Sequence, residues 1–180
     1  LLLVAAILGI DVGTTAVKAV VVSSDGRLLA ESEIHQQVDV PRPGWVEQNP
    51  EVWWANSCKV IVSAMAKARR SCGSVELRGI GLSGQMHSAV FLDAGGKVIR
   101  PSLLWNDMRT TSQCHEITSQ VGFGNLRKTV GNLALEGFTA PKILWLKQNE
   151  PYNYAQLRSI LLAKDYVRYC LTGEVVTDYS

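Results

Sequence analysis

The sequence predicts an α/β domain built on a mixed β-sheet, and three observations support this prediction. Three strand-like segments, residues 4–10, 16–23 and 28–33, open the chain and are separated by turn residues. A segment with helical periodicity follows them. Another apolar segment, residues 77–83, comes after that helix, so it is predicted to run parallel to the first strand. Together these features predict a three-strand antiparallel start that is flanked by helices.

The first strands are predicted from runs of apolar and β-branched residues. Residues 4–10 are apolar, which is typical of a buried strand, and the apolar run that opens the chain is too short to span a bilayer. The pair Asp25-Gly26 is a strong signal for a two-residue turn between the second and third strands. We therefore expect the third strand to return antiparallel to the second.

The first helix is predicted from residue 50 to residue 72. Asn49 is expected to cap it, Pro50 suits its first position, and Glu51 suits the positive end of the helix dipole. Six residues at helical spacing predict a single buried face: Trp53, Ser57, Val60, Ile61, Ala64 and Ala68. The returning segment, residues 77–83, is then expected to be a buried strand.

The second half of the chain is predicted to contain a hairpin and three helices. Residues 89–92 and 97–99 are expected to pair across the turn that holds Gly95 and Gly96. Helices are predicted at residues 111–121, 139–150 and 161–171. The last of them is expected to stop at Thr172-Gly173, because glycine commonly follows a helix end.

The composition argues against several classes of protein. Of the 180 residues, 47% are hydrophobic and 19% are charged, so a packed core is expected rather than global disorder. The net charge of +2 favours neither a nucleic-acid-binding stripe nor an acidic tail. The four cysteines stand far apart, which gives little support to a zinc site or a disulfide framework. We therefore expect reduced thiols in a cytoplasmic protein without nucleic-acid or membrane partners.

A candidate phosphate-binding turn, Asp11-Val12-Gly13-Thr14-Thr15, lies between the first two strands. Gly13 would admit a positive φ and a close ligand, the backbone N–H groups of such a turn form an anion nest, and the two threonine hydroxyls add donors. Asp11 would repel a phosphate unless a Mg²⁺ ion with its waters lay between them. The pattern is not a Walker A loop, and an ordinary hairpin turn is the alternative interpretation.

A polar segment, Gly84-Gln85-Met86-His87, follows the predicted strand 77–83. The side chains of Gln85 and His87 both donate and accept hydrogen bonds, which suits a polyhydroxylated ligand. Ligands of open α/β sheets often bind beyond the carboxyl ends of the strands. A surface loop with a satisfied histidine is the alternative interpretation.

A second polar cluster is Trp105-Asn106-Asp107. A tryptophan ring stacks on the apolar face of a sugar, while Asn106 and Asp107 would bind hydroxyl groups. The alternative is a core tryptophan beside an Asn-Asp pair that caps the following helix, and both interpretations are compatible.

Taken together, these segments resemble the FGGY family of carbohydrate kinases, and within it the bacterial-type xylulokinases, from about residue 8 to residue 180. The segment 9–15 is similar to the family's first phosphate loop, residues 84–87 resemble its sugar-contact strand, and residues 104–109 resemble its next sugar-site segment. The most specific likeness is the segment 137–149, GFTAPKILWLKQN, which fits the family's N-terminal signature at every defined position.

The resemblance implies a two-domain, ATP-dependent kinase of the actin and sugar-kinase superfamily, with ribonuclease H-like domains and with ATP and Mg²⁺ as cofactors. Residues 4–180 would form its N-terminal domain, incomplete at the C-terminal end, and the general-base aspartate and the nucleotide-binding domain would follow. The substrate would be a ketose, D-xylulose, and the product D-xylulose 5-phosphate. The chain alone is then expected to be inactive, and the complete protein to form a homodimer.

The resemblance also assigns roles to residues. Asp11 would be the catalytic acidic group, near Mg²⁺ through water, and Gly13, Thr14 and Thr15 would line the transferred phosphate. Residues of the two polar clusters would contact the sugar: Gln85, Met86, His87, Trp105, Asn106 and Asp107.

Two departures from the family pattern leave the sugar open. Ser88 and Met108 stand where xylulokinases usually or often carry glycine. Sedoheptulose kinase, or another FGGY sugar kinase, is the alternative within the family, and a non-catalytic sugar-binding remnant is the alternative outside enzymes. An actin- or chaperone-type ATPase would explain neither Gln85-Met86-His87 nor the signature segment.

Overall fold

The computed structural model describes residues 3–179; Leu1, Leu2 and Ser180, the last residue of the predicted domain, lie outside the described part. The described chain divides into two structural units. Residues 3–37, 51–85 and 163–179 form the first unit, and residues 38–50 and 86–162 form the second.

The elements of secondary structure follow one another in this order: β1 (Leu3–Val12), β2 (Ala16–Ser23), β3 (Leu28–His35), β4 (Glu47–Gln48), α1 (Pro50–Cys72), β5 (Ser74–Gly84), β6 (Val90–Leu92), β7 (Ser102–Leu103), α2 (Thr111–Val121), α3 (Phe123–Val130), α4 (Thr139–Asn149), α5 (Pro151–Gln156), β8 (Ser159–Leu161) and α6 (Ala163–Thr172).

Four strands of the first unit form one sheet in the order β3-β2-β1-β5. β2 pairs antiparallel with both β1 and β3, whereas β5 pairs parallel with β1. Every second residue of β1 from Ala6 to Val12 is buried, which is the two-residue period of a strand with one face in a core. The predicted antiparallel start and the parallel return after the helix are therefore confirmed.

The helix α1 has the buried face that its spacing predicted. Five of the six predicted residues are buried, and Ile61 is partly buried. Ser57 lies among these apolar residues because its hydroxyl donates to the carbonyl of Trp53, at 2.7 Å, and so needs no water. No helix in the described part of the chain, α1 included, is long and apolar enough to cross a membrane.

The strand β5 is exposed, so the prediction of a buried strand at residues 77–83 is wrong. Leu77 and Ile80 keep 38% and 46% of their surface accessible to solvent. The reason is its position, because among the described strands β5 has β1 as its single neighbour and lies at the edge of the sheet.

The second unit contains two small sheets and four helices. β4 pairs with β7, β6 pairs with β8, and α2 and α4 coincide with the predicted helices to within one residue. The main core cluster of this unit consists of Ala89, Phe91, Leu103, Trp145 and Leu146. Trp45 packs against this cluster, with its ring edge-on to that of Trp145 at a centroid distance of 5.5 Å.

Two predicted elements differ in detail from the structure. The hairpin after β6 is present, but its second arm is a single bridge between Val98 and Leu92. The helix predicted from residue 161 begins at Ala163, because Leu161 is the last residue of β8 and pairs with Val90.

Candidate functional site

The turn between β1 and β2 is closed by a tight backbone contact at Gly13. A Cβ atom at this position would lie 2.8 Å from the carbonyl oxygen of Ala16, closer than such atoms approach in proteins. Gly13 is not among the glycines with positive φ, so this turn does not use the positive φ that glycine would admit. Glycine is required because the chain folds closely onto itself at this point, where a Cβ would meet the Ala16 carbonyl.

Polar side chains of the first unit hold this turn in place. Thr14 Oγ1 donates to Gln85 Oε1 at 3.1 Å, and the backbone N–H of Gln85 donates to the carbonyl of Val12 at 2.9 Å. On the other side, Gln36 Nε2 donates to the carbonyl of Gly13 at 2.8 Å. The structure therefore brings Thr14 and Gln85 together, and it adds Gln36, which the sequence analysis did not identify.

Asp11 lies at the exposed end of β1, on the open face of the sheet. In the strand register it stands beside Lys18 of β2 and Ser83 of β5. A groove of about 420 Å³ covers this face, and its lining includes Gly9, Asp11, Lys18, Val20, Gly81 and Ser83. The glycines keep the groove open next to the carboxylate, so Asp11 is accessible to a ligand from solvent.

His87, in the second unit, has a strained backbone. Its φ is 59°, and among the described residues it is the one non-glycine residue with positive φ. Its imidazole stands edge-on to the ring of Phe138, with the centroids 4.7 Å apart. Burial, together with the nearby charge of Lys142, lowers the pKa of His87, which favours the neutral ring that both donates and accepts hydrogen bonds. Met86, beside it in the chain, is exposed.

The segment Trp105-Asn106-Asp107 divides into an exposed part and a buried part. Trp105 and Asn106 are exposed, whereas Asp107 has no exposed surface. The backbone N–H of Trp105 donates to Ser88 Oγ at 3.2 Å, and Ser88 Oγ lies 3.5 Å from the Met86 carbonyl. Ser88, one of the two departures from the family pattern, thus connects the two predicted sugar-contact segments.

Asp107 belongs to a buried network of charges. Its two carboxylate oxygens accept from the Val46 N–H and from the backbone N–H and side chain of Arg109, at 2.6–3.0 Å. Arg109 Nη1 forms an ion pair, without hydrogen-bond alignment, with Glu47 Oε1 at 2.7 Å. The Arg109 guanidinium lies 3.9 Å from the centre of the Trp45 ring. The side chain of Asp107 is therefore turned away from solvent.

The alternative interpretation of this segment does not hold. α2 begins at Thr111 with Thr110 as its N-cap residue, and the helix has no side-chain capping hydrogen bond at that end. Trp105 is 43% exposed and is not a core residue. The pair Asn106-Asp107 therefore does not cap the helix, and Trp105 presents its ring to solvent.

The segment 137–142 contacts both polar clusters of the second unit. A Cβ at Gly137 would lie 2.8 Å from the carbonyl oxygen of Trp105, so only glycine fits there. Thr139 Oγ1 and Lys142 Nζ donate to the carbonyl of His87, at 3.2 and 3.0 Å. Lys142 is fully buried, and burial lowers its pKa to about 7.

Comparisons with known proteins identify the family. The model for the N-terminal domain of the FGGY family of carbohydrate kinases matches residues 6–180. The chain belongs to the FGGY family. A xylulose kinase from Lactococcus lactis subsp. lactis is 41% identical over 174 residues, which are 97% of this chain and 34% of that relative. The chain thus spans about a third of the length of the curated relatives it matches.

Solved structures of FGGY kinases share the fold. Xylulose kinase from Rhodospirillum rubrum superimposes with a TM-score of 0.92 at 28% identity, covering 96% of this chain and 35% of that one. A protein described as a xyloylose kinase from Brucella ovis gives a TM-score of 0.86 at 39% identity, with 93% and 34% covered. The fold is therefore the ribonuclease H-like fold of the actin and sugar-kinase superfamily, and the sequence prediction of fold and family is confirmed.

Four residues that were not predicted as site residues hold predicted ones in this FGGY chain: Gln36, Arg109, Thr139 and Lys142. A fifth, Glu47, pairs with Arg109. A signal was present for Arg109, Thr139 and Lys142, because they lie in segments that resemble the family, but the motifs alone do not say what their side chains contact. In the part of the chain that the structure describes, acidic, histidine and cysteine side chains form no group of three that could hold a metal ion.

The low pKa of Lys142 predicts how stability depends on pH. The pKa is about 7 in the folded chain and ordinarily 10.5, so between these values the unfolded state binds more protons and stability rises with pH. From pH 7 to pH 9 we expect the free energy of unfolding to rise by about 2 kcal/mol more in the wild type than in Lys142→Met. Urea denaturation of both proteins at the two pH values measures this difference. Equal changes in the two proteins would contradict the prediction.

Proposed function

We propose that this chain forms the sugar-binding N-terminal domain, residues 4–180, of a longer ATP-dependent ketose kinase. The proposed reaction transfers the γ-phosphoryl group of ATP to the terminal hydroxyl of D-xylulose and yields D-xylulose 5-phosphate. The observation that carries the proposal is the 41% identity, across nearly the whole chain, to a protein named xylulose kinase. The geometry of the two polar regions supports it.

The turn of the first unit fits a phosphate-binding role. Gly13 leaves its backbone open where a Cβ would collide with Ala16, and Thr14 and Thr15 add hydroxyl donors. Asp11 offers an exposed carboxylate next to this turn. Mg²⁺ commonly binds through one or two carboxylates, several waters and the phosphates of its substrate, so a single carboxylate here fits that ion. When bound, Mg²⁺ would neutralise charge on the transferred phosphoryl group.

The second unit supplies the proposed sugar contacts apart from Gln85, which belongs to the first unit. His87 presents a neutral imidazole that donates and accepts, and the exposed ring of Trp105 offers an apolar surface to stack on a sugar. We include Gln85, Met86 and Asn106 as further contacts at the same two segments. Both oxygens of the Asp107 carboxylate are engaged by Arg109 and Val46, so we propose that Asp107 fixes the Trp105-Asn106 segment and does not bind hydroxyl groups itself.

Phosphoryl transfer depends mainly on positioning and on stabilisation of charge in the transition state. In the proposed enzyme, His87 and Trp105 orient the sugar, while the Gly13 turn and Asp11 organise the phosphate and its counter-ion. The complete protein is proposed to supply the general base and the adenosine contacts, to act in the cytoplasm and to form a homodimer.

The test is ADP release by the complete reading frame with ATP, Mg²⁺ and a panel of sugars. The panel holds D-xylulose, D-ribulose, L-ribulose, sedoheptulose and glycerol. We expect the highest kcat/KM with D-xylulose. Two variants, Ser88→Gly and Met108→Gly, introduce the glycine of the family pattern and test whether these positions determine which sugar is preferred.

Each outcome of this panel decides between the alternatives. A preference for sedoheptulose would keep the kinase and reject D-xylulose as substrate. No ADP release with any sugar, from a folded protein with both domains, would reject the kinase. Calorimetric titration would then test the non-catalytic alternative, which predicts sugar binding without any requirement for nucleotide.

A further inference from the structure

The backbone of His87 needs outside support. A side chain at φ 59° places its Cβ close to the neighbouring carbonyl oxygen, so a residue other than glycine adopts this conformation only where its surroundings impose it. The direction of the imidazole depends on this φ, because rotation of the backbone at His87 would swing the whole ring. Whatever holds the backbone of His87 therefore also aims its side chain.

Two side chains from a distant part of the sequence bind the carbonyl of His87. Lys142 Nζ donates to it at 3.0 Å and Thr139 Oγ1 at 3.2 Å, and both residues lie in the first turns of α4. Lys142 Nζ also donates to the carbonyl of Gly137 at 2.7 Å. Since Gly137 lies against the Trp105 carbonyl and Phe138 against the imidazole, one short segment contacts both sugar-contact segments.

A lysine such as Lys142 is energetically unfavourable at a buried position whose role is only structural. A buried ammonium group loses its hydration, and a hydrocarbon side chain of similar volume would fill the same space without that cost. The nearby charges act in opposite directions, because Asp107 favours the charged form of Lys142 and Arg109 disfavours it. What a hydrocarbon would lack is the pair of hydrogen bonds to the carbonyls of His87 and Gly137.

We propose that Lys142 and Thr139 are positioning residues, which hold the carbonyl of His87 and thereby fix its imidazole toward the sugar. The inference rests on the proposed function and deepens it, because it assigns a task in the sugar site to two residues of the family signature that touch no substrate themselves. It also connects the signature to the segments that contact sugar, although the two lie apart in the sequence.

The kinetic test uses Lys142→Met and Thr139→Val, with Thr139→Ser as the conservative control, in the complete protein. We expect the KM for sugar to rise about tenfold or more in Lys142→Met and about threefold or more in Thr139→Val. The KM for ATP should stay within about twofold, and Thr139→Ser should resemble the wild type. In a His87→Ala background, Lys142→Met should raise the KM for sugar by less than about twofold, since the ring that it positions is gone.

A second measurement does not depend on activity. The given sequence has three histidines, His35, His87 and His115, and the spectrum of His87→Ala identifies the His87 signals in a ¹H–¹⁵N correlation of the imidazole rings of the complete protein. We expect the His87 signals to move in Lys142→Met and in Thr139→Val, while those of His35 and His115 stay in place. Thr139→Val replaces a hydroxyl by a methyl group of similar size and is expected to fold. The test can therefore be made with this variant even if Lys142→Met does not fold.

The outcomes separate this inference from the proposed function. A wild type that phosphorylates no sugar rejects the proposed function, and the imidazole signals still decide whether the backbone of His87 is held as inferred. An active wild type whose variants keep both the KM for sugar and the His87 signals would overturn the positioning role. The positioning role would also be overturned if Lys142→Met raised the KM for sugar by the same factor in the His87→Ala background as in the wild type.

Discussion

Replacing Asp11 by asparagine is expected to lower kcat of the proposed complete kinase by about 10²-fold or more. The substitution keeps the shape of the side chain and removes its charge, which in our proposal organises Mg²⁺ and the phosphoryl group in the transition state. Asp11 is exposed at the end of β1 and stands beside the open turn at Gly13, so it is placed to act on a ligand. The KM for sugar should change little, since the proposed sugar contacts belong to other segments.

A matched control for this prediction lies in the same sheet. Glu33 of β3 is exposed and pairs with Lys18 at 3.6 Å, and Glu33→Gln changes the charge of the unit by the same amount as Asp11→Asn. We expect Glu33→Gln to keep a normal kcat. Initial rates at saturating ATP and sugar measure both variants. If Asp11→Asn retained near-normal kcat, the assignment of the phosphate turn would be wrong.

The second large effect is expected on stability, from Arg109→Leu. This guanidinium is fully buried and forms pairs with Asp107 and Glu47, each at 2.7 Å. Removing it leaves the Asp107 carboxylate in the interior without its main partner, whereas Glu47 still pairs with Arg100 at 2.6 Å. Breaking a buried pair by removing one partner costs about 3–5 kcal/mol. We therefore expect the free energy of unfolding to fall by that amount.

Chemical denaturation with a control variant tests this second prediction. Arg78 pairs with Glu76 at 2.8 Å, but both side chains are well exposed, so Arg78→Leu should cost less than about 1 kcal/mol. Comparable losses in Arg78→Leu and Arg109→Leu would contradict our description of the Arg109 network as the buried electrostatic centre of the second unit.

The elements that the sequence predicted well are those whose signals are local. β1 to β3, α1, α2 and α4 follow from apolar periodicity, turn pairs and helix ends, and these features act over a few residues. The exposure of β5 and the short strands β4, β7 and β8 could not be predicted in this way. They depend on which neighbour a strand finds across the fold, and β8 is defined by three residue pairs with β6, some seventy positions earlier.

The candidate site likewise has features that the sequence predicts and features that only the fold determines. The residue types of the turn at Gly13 and of the segments at His87 and Trp105 were readable from the sequence because each motif is contiguous. The direction of a side chain was not readable. Asp107 looked like a sugar ligand beside Trp105, yet Arg109 and the Val46 N–H draw its carboxylate into the interior. In the sequence, Lys142 was a residue of the signature segment to which no contact could be assigned. Only the fold brings its amino group to the carbonyl of His87.

The most direct test of a D-xylulose kinase is to identify the product by phosphorus NMR. The complete protein would be incubated with ATP, Mg²⁺ and D-xylulose, and the phosphorus-containing products would be compared with the ADP formed. Our account predicts one new phosphate monoester, on the terminal C5 hydroxyl of the sugar, for each ADP. Release of inorganic phosphate in place of the ester would indicate an ATPase and contradict the account, as would an ester that forms only with another sugar.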